Sequence, residues 1–425
     1  MFYKRSSKSC LLLRFLFVKD MKNFICFCIV IFLIPLVHGT SFYVSPKGND
    51  AHYGNHPGKP LKSIKTAFKK AQPGDTIFLF QGRFPGQVKL NNINGSPEKP
   101  IVLTSLSTDK KDFAIIDGGS KPKLGLKNYG FELNNCSWIH FERLKFRNCW
   151  TDVIPMQKST YISFINCDFK GGRRVIYPIG DECHHFLIEN CFWEQDEEVW
   201  LTDYSKYETA KDWWADMHHE EHSFYNGALF HPWGTAGGFV FRGNTIKHAF
   251  NALRTRPSSV NQDANGEVYE NTFINIRDNE FEPEYWAWNL HFYHNTMHNI
   301  HNAVSIHSIQ GGGNIFIYGN TWNQDMDEYT NIMTVGFWKY IDSDLTHPCF
   351  IFNNSIRTNE SAFQSTVEFN KQMKHFNNAY YFITEKAYFK LNYWDETFEF
   401  DYDCINRSWP ENITENNQEK HGIIA

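Results

Sequence analysis

The stretches that decide the fold are 241–246 FRGNTI, 269–273 YENTF, 293–297 YHNTM and 318–322 YGNTW. Each is a β-rich segment that ends in Asn-Thr and continues with an aromatic or aliphatic residue. Related segments occur before and after them, and most neighbouring asparagines are 24 to 27 residues apart. That period matches one coil of a parallel β-helix, a solenoid with three short strands per turn. The full series is Asn148, Asn166, Asn190, Asn244, Asn271, Asn295, Asn320, Asn354 and Asn378.

The asparagine repeat predicts a ladder of side chains inside the solenoid. Asparagines at the same turn of successive coils hydrogen-bond to one another and satisfy buried backbone groups. The residue after each asparagine should stack too, as cysteine in the first coils and as threonine or serine later. Cys149, Cys167 and Cys191 are therefore interpreted as small core residues. Seven cysteines follow residue 40, and an odd number argues against a full disulfide framework.

The region before the repeat has a pattern of its own. Residues 41–50, SFYVSPKGND, predict a strand, and residues 61–71 predict a short amphipathic helix that would cover the open end of the solenoid. This opening resembles that of secreted right-handed parallel β-helix proteins, many of which are polysaccharide lyases or glycoside hydrolases. The resemblance covers most of residues 41–380. It implies an all-β, right-handed parallel β-helix with an N-terminal capping helix, but fold alone does not set the reaction.

The N-terminal segment has the pattern of a secretory signal peptide. A lysine follows Met21, an apolar run covers residues 24–37, and small residues follow near Gly39. We expect translation to start at Met21 and residues 1–39 to be removed, which predicts a secreted or periplasmic protein. The apolar run is short for a membrane span, and no later stretch is long enough for one.

The remaining chain divides into a β-helix domain, 40–380, and a C-terminal cap and tail, 381–425. The 54-residue gap between Asn190 and Asn244 breaks the repeat and indicates one long loop insertion, 193–227. The insertion is acidic and rich in aromatic residues, and we expect it to wall one end of a groove.

The composition limits the kinds of molecule that the protein is expected to bind. The chain has 42 basic and 47 acidic residues and no basic tail, which excludes the usual footprint of a nucleic-acid binder. Aromatic residues make up 17% of the chain, enough to serve a core and to line a sugar groove. We expect a monomer whose partner is an anionic oligosaccharide or polysaccharide.

Residues 276–286, IRDNEFEPEYW, place four acids at alternate positions. When the strands after the asparagines are aligned, Leu253, Phe281 and Val304 fall together and should point inward. Because strand side chains alternate, their neighbours should point outward and touch across coils ~4.8 Å apart. Asp278 and Glu280 extend the acidic row on the same side. Two outward rows result: Arg254, Glu282 and Ser305 in one, and Arg256, Glu284 and His307 in the other.

The charged rows suit elimination from a uronic acid. Arg254 and Arg256 would bind the substrate carboxylate, since a guanidinium holds a carboxylate bidentately. His307 would be the base or the acid, with Tyr285 or a glutamate as its partner. The two glutamates of the rows would orient the arginines or share the proton transfer. A sugar leaving group gives a polysaccharide lyase, and water gives a dehydratase acting on a terminal uronate.

Three other uses of the acids remain open. Glu282 and Glu284 lie two strand residues apart, ~6.6 Å, which is near the ~6.5–9.5 Å of an inverting glycosidase, although arginine neighbours oppose the protonated acid that such an enzyme needs. Carboxylates also suit Ca²⁺, the one cofactor that the sequence suggests, but the pattern assigns no metal ligand. A non-catalytic sugar-binding β-helix protein is the third alternative.

Further residues are expected at the groove on weaker grounds. His231 and Trp233, in 228–234 ALFHPWG, precede a ladder strand and are predicted to bind substrate together with Tyr285 and Ser305. The motif HHEEH, 218–222, matches a zinc-binding pattern, but a short motif in a histidine-rich insertion is weak support for a peptidase.

Overall fold

The computed structural model describes residues 39–119, 128–197, 225–307, 311–324, 338–341, 345–358, 363–365, 372–383, 389–391 and 396–425. It describes the backbone but not the side chains of residues 307, 338–341, 363–365, 389–391 and 412. Almost all of the predicted signal segment, 1–39, and most of the predicted insertion, 193–227, lie outside these residues. Within them, no helix has the length and apolar character needed to cross a membrane.

Parallel strands stack along almost the whole described chain, which confirms the predicted β-helix. One face is a sheet of 13 strands in the described residues, each paired in parallel with the next. Its strands are β1 Ser41–Val44, β2 Thr76–Leu79, β5 Ile101–Ser105, β8 Ser137–Glu142, β11 Thr160–Ile165, β14 His184–Glu189, β16 Phe239–Arg242, β19 Gly266–Tyr269, β21 Trp288–Tyr293, β23 Gly313–Tyr318, β26 Cys349–Phe352, β29 Met373–Phe376 and β32 Glu399–Asp401.

The other strands form two further rows, and the long strands β20 and β22 pass through both of them. The second row contains β3 Arg83–Pro85, β6 Ile115–Asp117, β9 Lys145–Arg147, β12 Asp168–Lys170, β15 Phe192–Glu194, β17 Thr245–Ala249, β20 Thr272–Pro283, β22 Thr296–His307, β24 Thr321–Asn323, β27 Ser355–Thr358, β30 Ala379–Phe382, β33 Cys404–Ile405 and β34 Ile423–Ile424. The third row, called the site face below, contains β4 Val88–Asn91, β7 Phe131–Asn134, β10 Asp152–Gln157, β13 Arg174–Ile179, β18 Leu253–Thr255, the C-terminal parts of β20 and β22, β25 Trp338–Ile341, β28 Phe363–Ser365 and β31 Phe389–Leu391.

The core follows from strand alternation, because every second side chain of a strand points into the solenoid. In β1 and β2 the buried positions alternate with partly exposed ones. On the site face, Leu253, Phe281 and Val304 pair in register and are each 0% exposed, which confirms the predicted inward row. Burying one such side chain contributes roughly 1.5–3 kcal/mol.

A short helix covers the N-terminal end of the core, as predicted. Helix α1, Ile64–Lys70, is capped by Ser63, whose Oγ accepts a hydrogen bond from the backbone N of Thr66 at 3.2 Å. Its apolar face, Ile64, Ala67 and Phe68, belongs to the hydrophobic core. At the other end, helix α2, Glu411–Glu415, follows β33 and buries Ile413.

The asparagine ladder is present from Asn244 onward and has a direction. Asn271 Oδ1 accepts hydrogen bonds from both N and Nδ2 of Asn244, at 2.9 and 3.0 Å. Each later rung likewise accepts from the rung before it, so the bonds between rungs all point toward the C-terminal end. Each Nδ2 also donates to the backbone carbonyl of an earlier strand, as Asn244 does to Ile188 O. The rungs after Asn271 are Asn295, Asn320, Asn354, Asn378 and finally Asp403.

In the two coils before Asn244, Cys167 and Cys191 occupy the ladder position, which corrects the predicted alignment of these coils by one residue. The backbone N of Cys191 donates to Asn244 Oδ1 at 2.9 Å, and the residues that follow them pair in parallel. The preceding asparagine instead adopts the left-handed conformation of the turn, which Asn tolerates better than most residues. The prediction was wrong because the turn residue and the ladder residue can both be asparagine. The asparagines in this turn are Asn166 and Asn190, with φ of 54° and 53°. Asn148 lies in a different turn, after β9, because the pairing of Asp168 with Lys145 places Leu144 level with Cys167.

The cysteines are core residues, as predicted. All seven in the described part of the chain are free, and Cys149, Cys167 and Cys191 are no more than 2% exposed. Burial raises the pKa of the Cys149 thiol to about 12, so this group stays protonated and unreactive at neutral pH.

The ladder gives a direct stability prediction. Replacing Asn320 with alanine removes the bonds from its Nδ2 to Asn354 Oδ1 and Phe292 O, and leaves the backbone N of Asn295 without its acceptor. Unsatisfied buried groups each cost ~1–3 kcal/mol, so we expect a loss of about 2–4 kcal/mol in the free energy of unfolding, measured with urea. Asn91→Ala, at an exposed strand end, is the control and should change stability by less than about 0.5 kcal/mol. Equal effects of the two variants would contradict a structural role of the ladder.

Candidate functional site

Successive coils bring the predicted residues together on the site face. Phe230 forms a parallel bridge with Leu253, and Leu253 pairs with Phe281. Arg254 therefore pairs with Glu282, as predicted. The same register sets His231 beside Arg254, and it sets Trp233 beside the residue that follows β18, Arg256.

Arg254 is the centre of an ion-pair network. Its Nε lies 2.9 Å from Glu282 Oε2, and its Nη2 lies 3.0 Å from Glu284 Oε1. Its Nη1 donates to Asn226 Oδ1 at 3.3 Å. Burial opposes the charge, but the two glutamates outweigh it and raise the pKa of Arg254. The predicted contacts between the arginine and glutamate rows are present, and they occupy the donors of this arginine.

Arg256 lies at the solvent-facing side of the network. Its side chain is 32% exposed, and its Nε is 3.8 Å from Glu284 Oε2. Nη2 donates to the hydroxyl of Tyr285 at 3.3 Å, and the guanidinium carbon lies 4.9 Å from the ring centroid of Trp233. Trp233 is itself 36% exposed. A guanidinium beside two aromatic rings is an arrangement that suits an anionic sugar.

Asp263 holds the backbone segments that carry Trp233 and Arg256. Its Oδ2 accepts from the backbone N of Arg256 at 3.0 Å and of Gly234 at 3.1 Å. Its Oδ1 accepts from the backbone N and the hydroxyl of Thr235, at 2.8 and 2.6 Å. The carboxylate is 0% exposed and ties the ends of two neighbouring coils together. The positions of Trp233 and Arg256 are thus held by one buried side chain.

His231 lies beneath this surface as a neutral base. The residue is 3% exposed, and neither ring nitrogen hydrogen-bonds to any residue that the structure describes. Burial and the neighbouring arginines, Arg254 and Arg174 first among them, hold its pKa well below the usual range. The ring packs edge-to-face on Tyr177, with centroids 5.5 Å apart. A buried, unpartnered imidazole is costly unless something uses it.

The depressed pKa of His231 predicts a pH-dependent loss of stability. Below about pH 6.5 an unfolded-state histidine takes up a proton, whereas His231 in the folded protein stays neutral. Acidification through this range therefore lowers the free energy of unfolding, by up to about 1.4 kcal/mol per pH unit from this group. His231→Gln should lack this component. Urea unfolding of both proteins at about pH 7.5 and about pH 5.5 measures it, and an unchanged difference between them would contradict it.

Two arginines of the site were missed from the sequence. Arg174 Nε lies 2.6 Å from Asp152 Oδ1, and its Nη1 donates to the hydroxyl of Tyr177 at 2.8 Å. Arg173 Nε donates to the backbone O of Asn226 at 2.7 Å, and no acid among the described residues forms an ion pair with it. Burial and neighbouring Arg174 lower the pKa of Arg173. The motif GGRRVIYP at 171–178 could have signalled them, but the insertion hides its alignment with the following coil.

The acidic stretch differs from its predicted surface face. All four acids are buried: Asp278 is 4%, Glu280 0%, Glu282 6% and Glu284 3% exposed. Burial raises the pKa of Glu280 well above its usual range, and neither of its carboxylate oxygens hydrogen-bonds to another described residue. Glu280 thus stands apart from the two arginine-bound glutamates. Strand alternation predicts on which side of the sheet a side chain lies, but it does not predict whether other parts of the chain cover that side.

The remaining predicted residues lie only partly within the described chain. Ser305 is 1% exposed and follows Val304 in the paired register of β22. His307 is the last residue of β22, and its side chain is outside the described set, so its catalytic role stays a prediction. His218 and His222 of the zinc-like motif also fall outside the described residues.

Glu282 and Glu284 are paired with Arg254 rather than arranged as a Ca²⁺ site. Among the described residues, two groups could hold an ion, and both lie elsewhere. They are Glu194, Glu197 and His248, and His375, Asp403 and Glu419.

The fold and this site together define the protein as a parallel β-helix with an arginine-rich cluster on one face. No family model and no curated protein matches the chain. Among solved structures, it is similar to a family GH136 lacto-N-biosidase from Eubacterium ramulus, with a TM-score of 0.53 and 13% identity over 86% of this chain and 68% of that one.

It is also similar to a mannuronic acid specific polysaccharide family 6 lyase from human gut microbiota, with a TM-score of 0.50 and 12% identity over 88% of each chain. At these identities the likeness is one of fold. It confirms the predicted resemblance to parallel β-helix carbohydrate-active enzymes at that level.

Proposed function

We propose that this chain is a carbon–oxygen lyase that acts by β-elimination on uronic-acid-containing oligosaccharides or polysaccharides. The observation that carries the proposal is His231, a neutral imidazole with no described hydrogen-bond partner on either nitrogen, among four arginines. Two solved structures of similar fold, one a biosidase and one a lyase by name, support a carbohydrate substrate in general, and only the name of the lyase mentions a uronic acid.

The charge of the cluster suits an anionic substrate. Arg174, Arg254 and Arg256 form ion pairs with Asp152, Glu282 and Glu284. Arg173 has no acidic partner among the described residues, and Arg256 is only loosely paired. These two guanidiniums would bind the uronate carboxylate, and Arg254, held by its glutamates, would keep the network in place.

Elimination requires a base, a neutralised carboxylate and an acid. The arginines neutralise the carboxylate and thereby make the C5 proton acidic. A His231 nitrogen takes that proton, the C5 electron pair forms the C4–C5 double bond, and the C4–O bond breaks. The leaving oxygen receives a proton from the hydroxyl of Tyr285, with His307 as the other candidate donor.

Substrate binding itself would tune His231. In the free protein the arginines depress its pKa, which keeps the imidazole unprotonated and ready to accept a proton. A bound carboxylate adds a negative charge beside the same arginines and raises the pKa of His231 toward neutrality. A base with a pKa near the working pH is the most effective one. Substrate would enter from the exposed side, formed by Trp233 and Arg256.

Hydrolysis by Glu282 and Glu284 has less support. Both carboxylates bind the guanidinium of Arg254, at 2.9 and 3.0 Å. A positive partner favours the ionised carboxylate, whereas an inverting glycosidase needs one of its two acids protonated.

One assay separates these reactions. The protein is incubated with oligomannuronate, oligoguluronate and oligogalacturonate, and the absorbance of unsaturated uronate and the masses of the products are followed. Cleavage with a new double bond supports the lyase, and loss of one water without cleavage supports a dehydratase of the same elimination chemistry. Cleavage with gain of water, or unchanged substrate with measurable binding, would overturn the proposal in favour of a hydrolase or a sugar-binding protein.

A further inference from the structure

We propose that His375, Asp403 and Glu419 form a structural binding site for a divalent metal ion, for which Zn²⁺ is the best candidate. The site stands at the C-terminal end of the asparagine ladder. It is independent of the proposed lyase reaction and of the acidic stretch in β20.

The direction of the ladder creates this site. Each ladder asparagine donates its backbone N–H and one Nδ2 hydrogen to the oxygen of the next rung, and Asn378 donates in this way to Asp403 Oδ1, from N at 2.6 Å and from Nδ2 at 3.1 Å. Asp403 continues the pattern through its backbone N, which donates to Glu419 Oε2 at 3.2 Å. Its side chain, however, has no amide hydrogen to donate onward. Two carboxylates therefore meet where the ladder ends, and either a cation or a proton must compensate their repulsion.

Water cannot compensate this repulsion, because the three side chains are buried. The side chains of His375 and Asp403 are 0% exposed, and Glu419 is 6% exposed. Oε1 of Glu419 has no hydrogen-bond partner among the residues that the structure describes. Two adjacent carboxylates in a dry interior cannot both be ionised unless a cation or a shared proton compensates them.

The donor set favours a metal ion over a proton alone. One donor atom from each of the three residues lies within 4.8 Å of the other two. Nδ1 of His375 is 2.7 Å from Asp403 Oδ2. The other nitrogen, Nε2, is 2.7 Å from the hydroxyl of Tyr380, the kind of second contact that orients a metal-binding imidazole. One imidazole with two carboxylates is a ligand set that Zn²⁺ accepts and that Ca²⁺, which prefers oxygen alone, does not.

The metal ion would stabilise the C-terminal end of the solenoid. His375 lies in β29, Asp403 precedes β33, and Glu419 comes from the segment after α2. Binding would therefore join the last coils to the chain that covers them.

The test measures metal content and metal-dependent stability. The protein is treated with a chelator and then titrated with Zn²⁺, Mn²⁺ or Ca²⁺, while calorimetry and the thermal midpoint Tm are followed. We expect one equivalent of Zn²⁺ per chain and a saturable rise in Tm, with Ca²⁺ weaker by at least tenfold in affinity. Co²⁺ should give the visible absorption of a bound ion. An unchanged Tm with no bound Zn²⁺ would overturn the proposal and leave a shared proton as the bridging charge.

Asp403→Asn is the sharpest variant, because it restores the amide donor that the ladder lacks. This variant should fold and should lose both the Zn²⁺ equivalent and the rise in Tm, as should Glu419→Gln. The matched control is His421→Ala, which removes an exposed histidine whose Nδ1 is 2.7 Å from Asp401 Oδ2. The control should keep the full response to Zn²⁺. A response that survives in Asp403→Asn or disappears in the control would assign the ion to the surface and overturn the proposal.

Discussion

His231→Gln should reduce kcat for elimination by about 10²–10⁴, the usual contribution of a general base. Glutamine approximates the shape of the imidazole but does not accept a proton at neutral pH. Because the arginines that bind the carboxylate remain, KM should change by less than about fivefold. The measurement is the initial rate of unsaturated-uronate formation across substrate concentrations.

The control for this variant is Arg83→Ala, which removes an exposed arginine that pairs with Asp117 far from the site. It should leave both constants unchanged. If His231→Gln retained the wild-type kcat, the imidazole would not be the base, and the same measurement on His307→Gln would show whether that residue takes the proton instead.

Arg254→Met should give the largest loss of stability, about 3–5 kcal/mol, because it removes the guanidinium that pairs with two buried carboxylates and leaves Glu284 only its 3.8 Å contact with Arg256. The side chains of Glu282 and Glu284 are only 9% and 4% exposed, so water cannot replace the guanidinium. Urea unfolding followed by circular dichroism measures the effect.

A triple variant shows whether the loss of stability comes from unpaired buried charge or from lost packing. The triple change Arg254→Met, Glu282→Gln and Glu284→Gln removes the whole ion-pair network and should recover most of the stability without recovering activity. If the triple variant were no more stable than the single one, packing by the arginine side chain would explain the loss, and the role assigned to the ion pairs would be wrong.

Much of this architecture could be predicted from the sequence because the solenoid repeats. The spacing of the Asn-Thr segments gave the coil length, and alternation around Leu253, Phe281 and Val304 gave the inward row and its register. The pairing of Arg254 with Glu282 followed from that register alone.

Other features depended on information that a one-dimensional pattern does not carry. The predicted alignment of the coils before Asn244 was wrong because asparagine occurs both in the turn and in the ladder. The hydrogen bond from Cys191 N to Asn244 Oδ1 shows which position belongs to the ladder. Arg173 and Arg174 were missed because an insertion separates them from the coil they face. The burial of Glu280 was missed because alternation says nothing of what lies over a sheet.

The one-way hydrogen bonding of the ladder has a consequence for how such a chain can change in evolution. Each rung from Asn244 to Asn378 accepts from its predecessor and donates to its successor in the same manner, so an interior rung is interchangeable with any other. A whole coil can then be duplicated or deleted without leaving a broken bond at the junction. Asp403 has no side-chain amide hydrogen to donate to a further rung, so it cannot replace an interior asparagine. Length can therefore vary between related chains in whole coils, while the terminus that closes the series must be inherited intact.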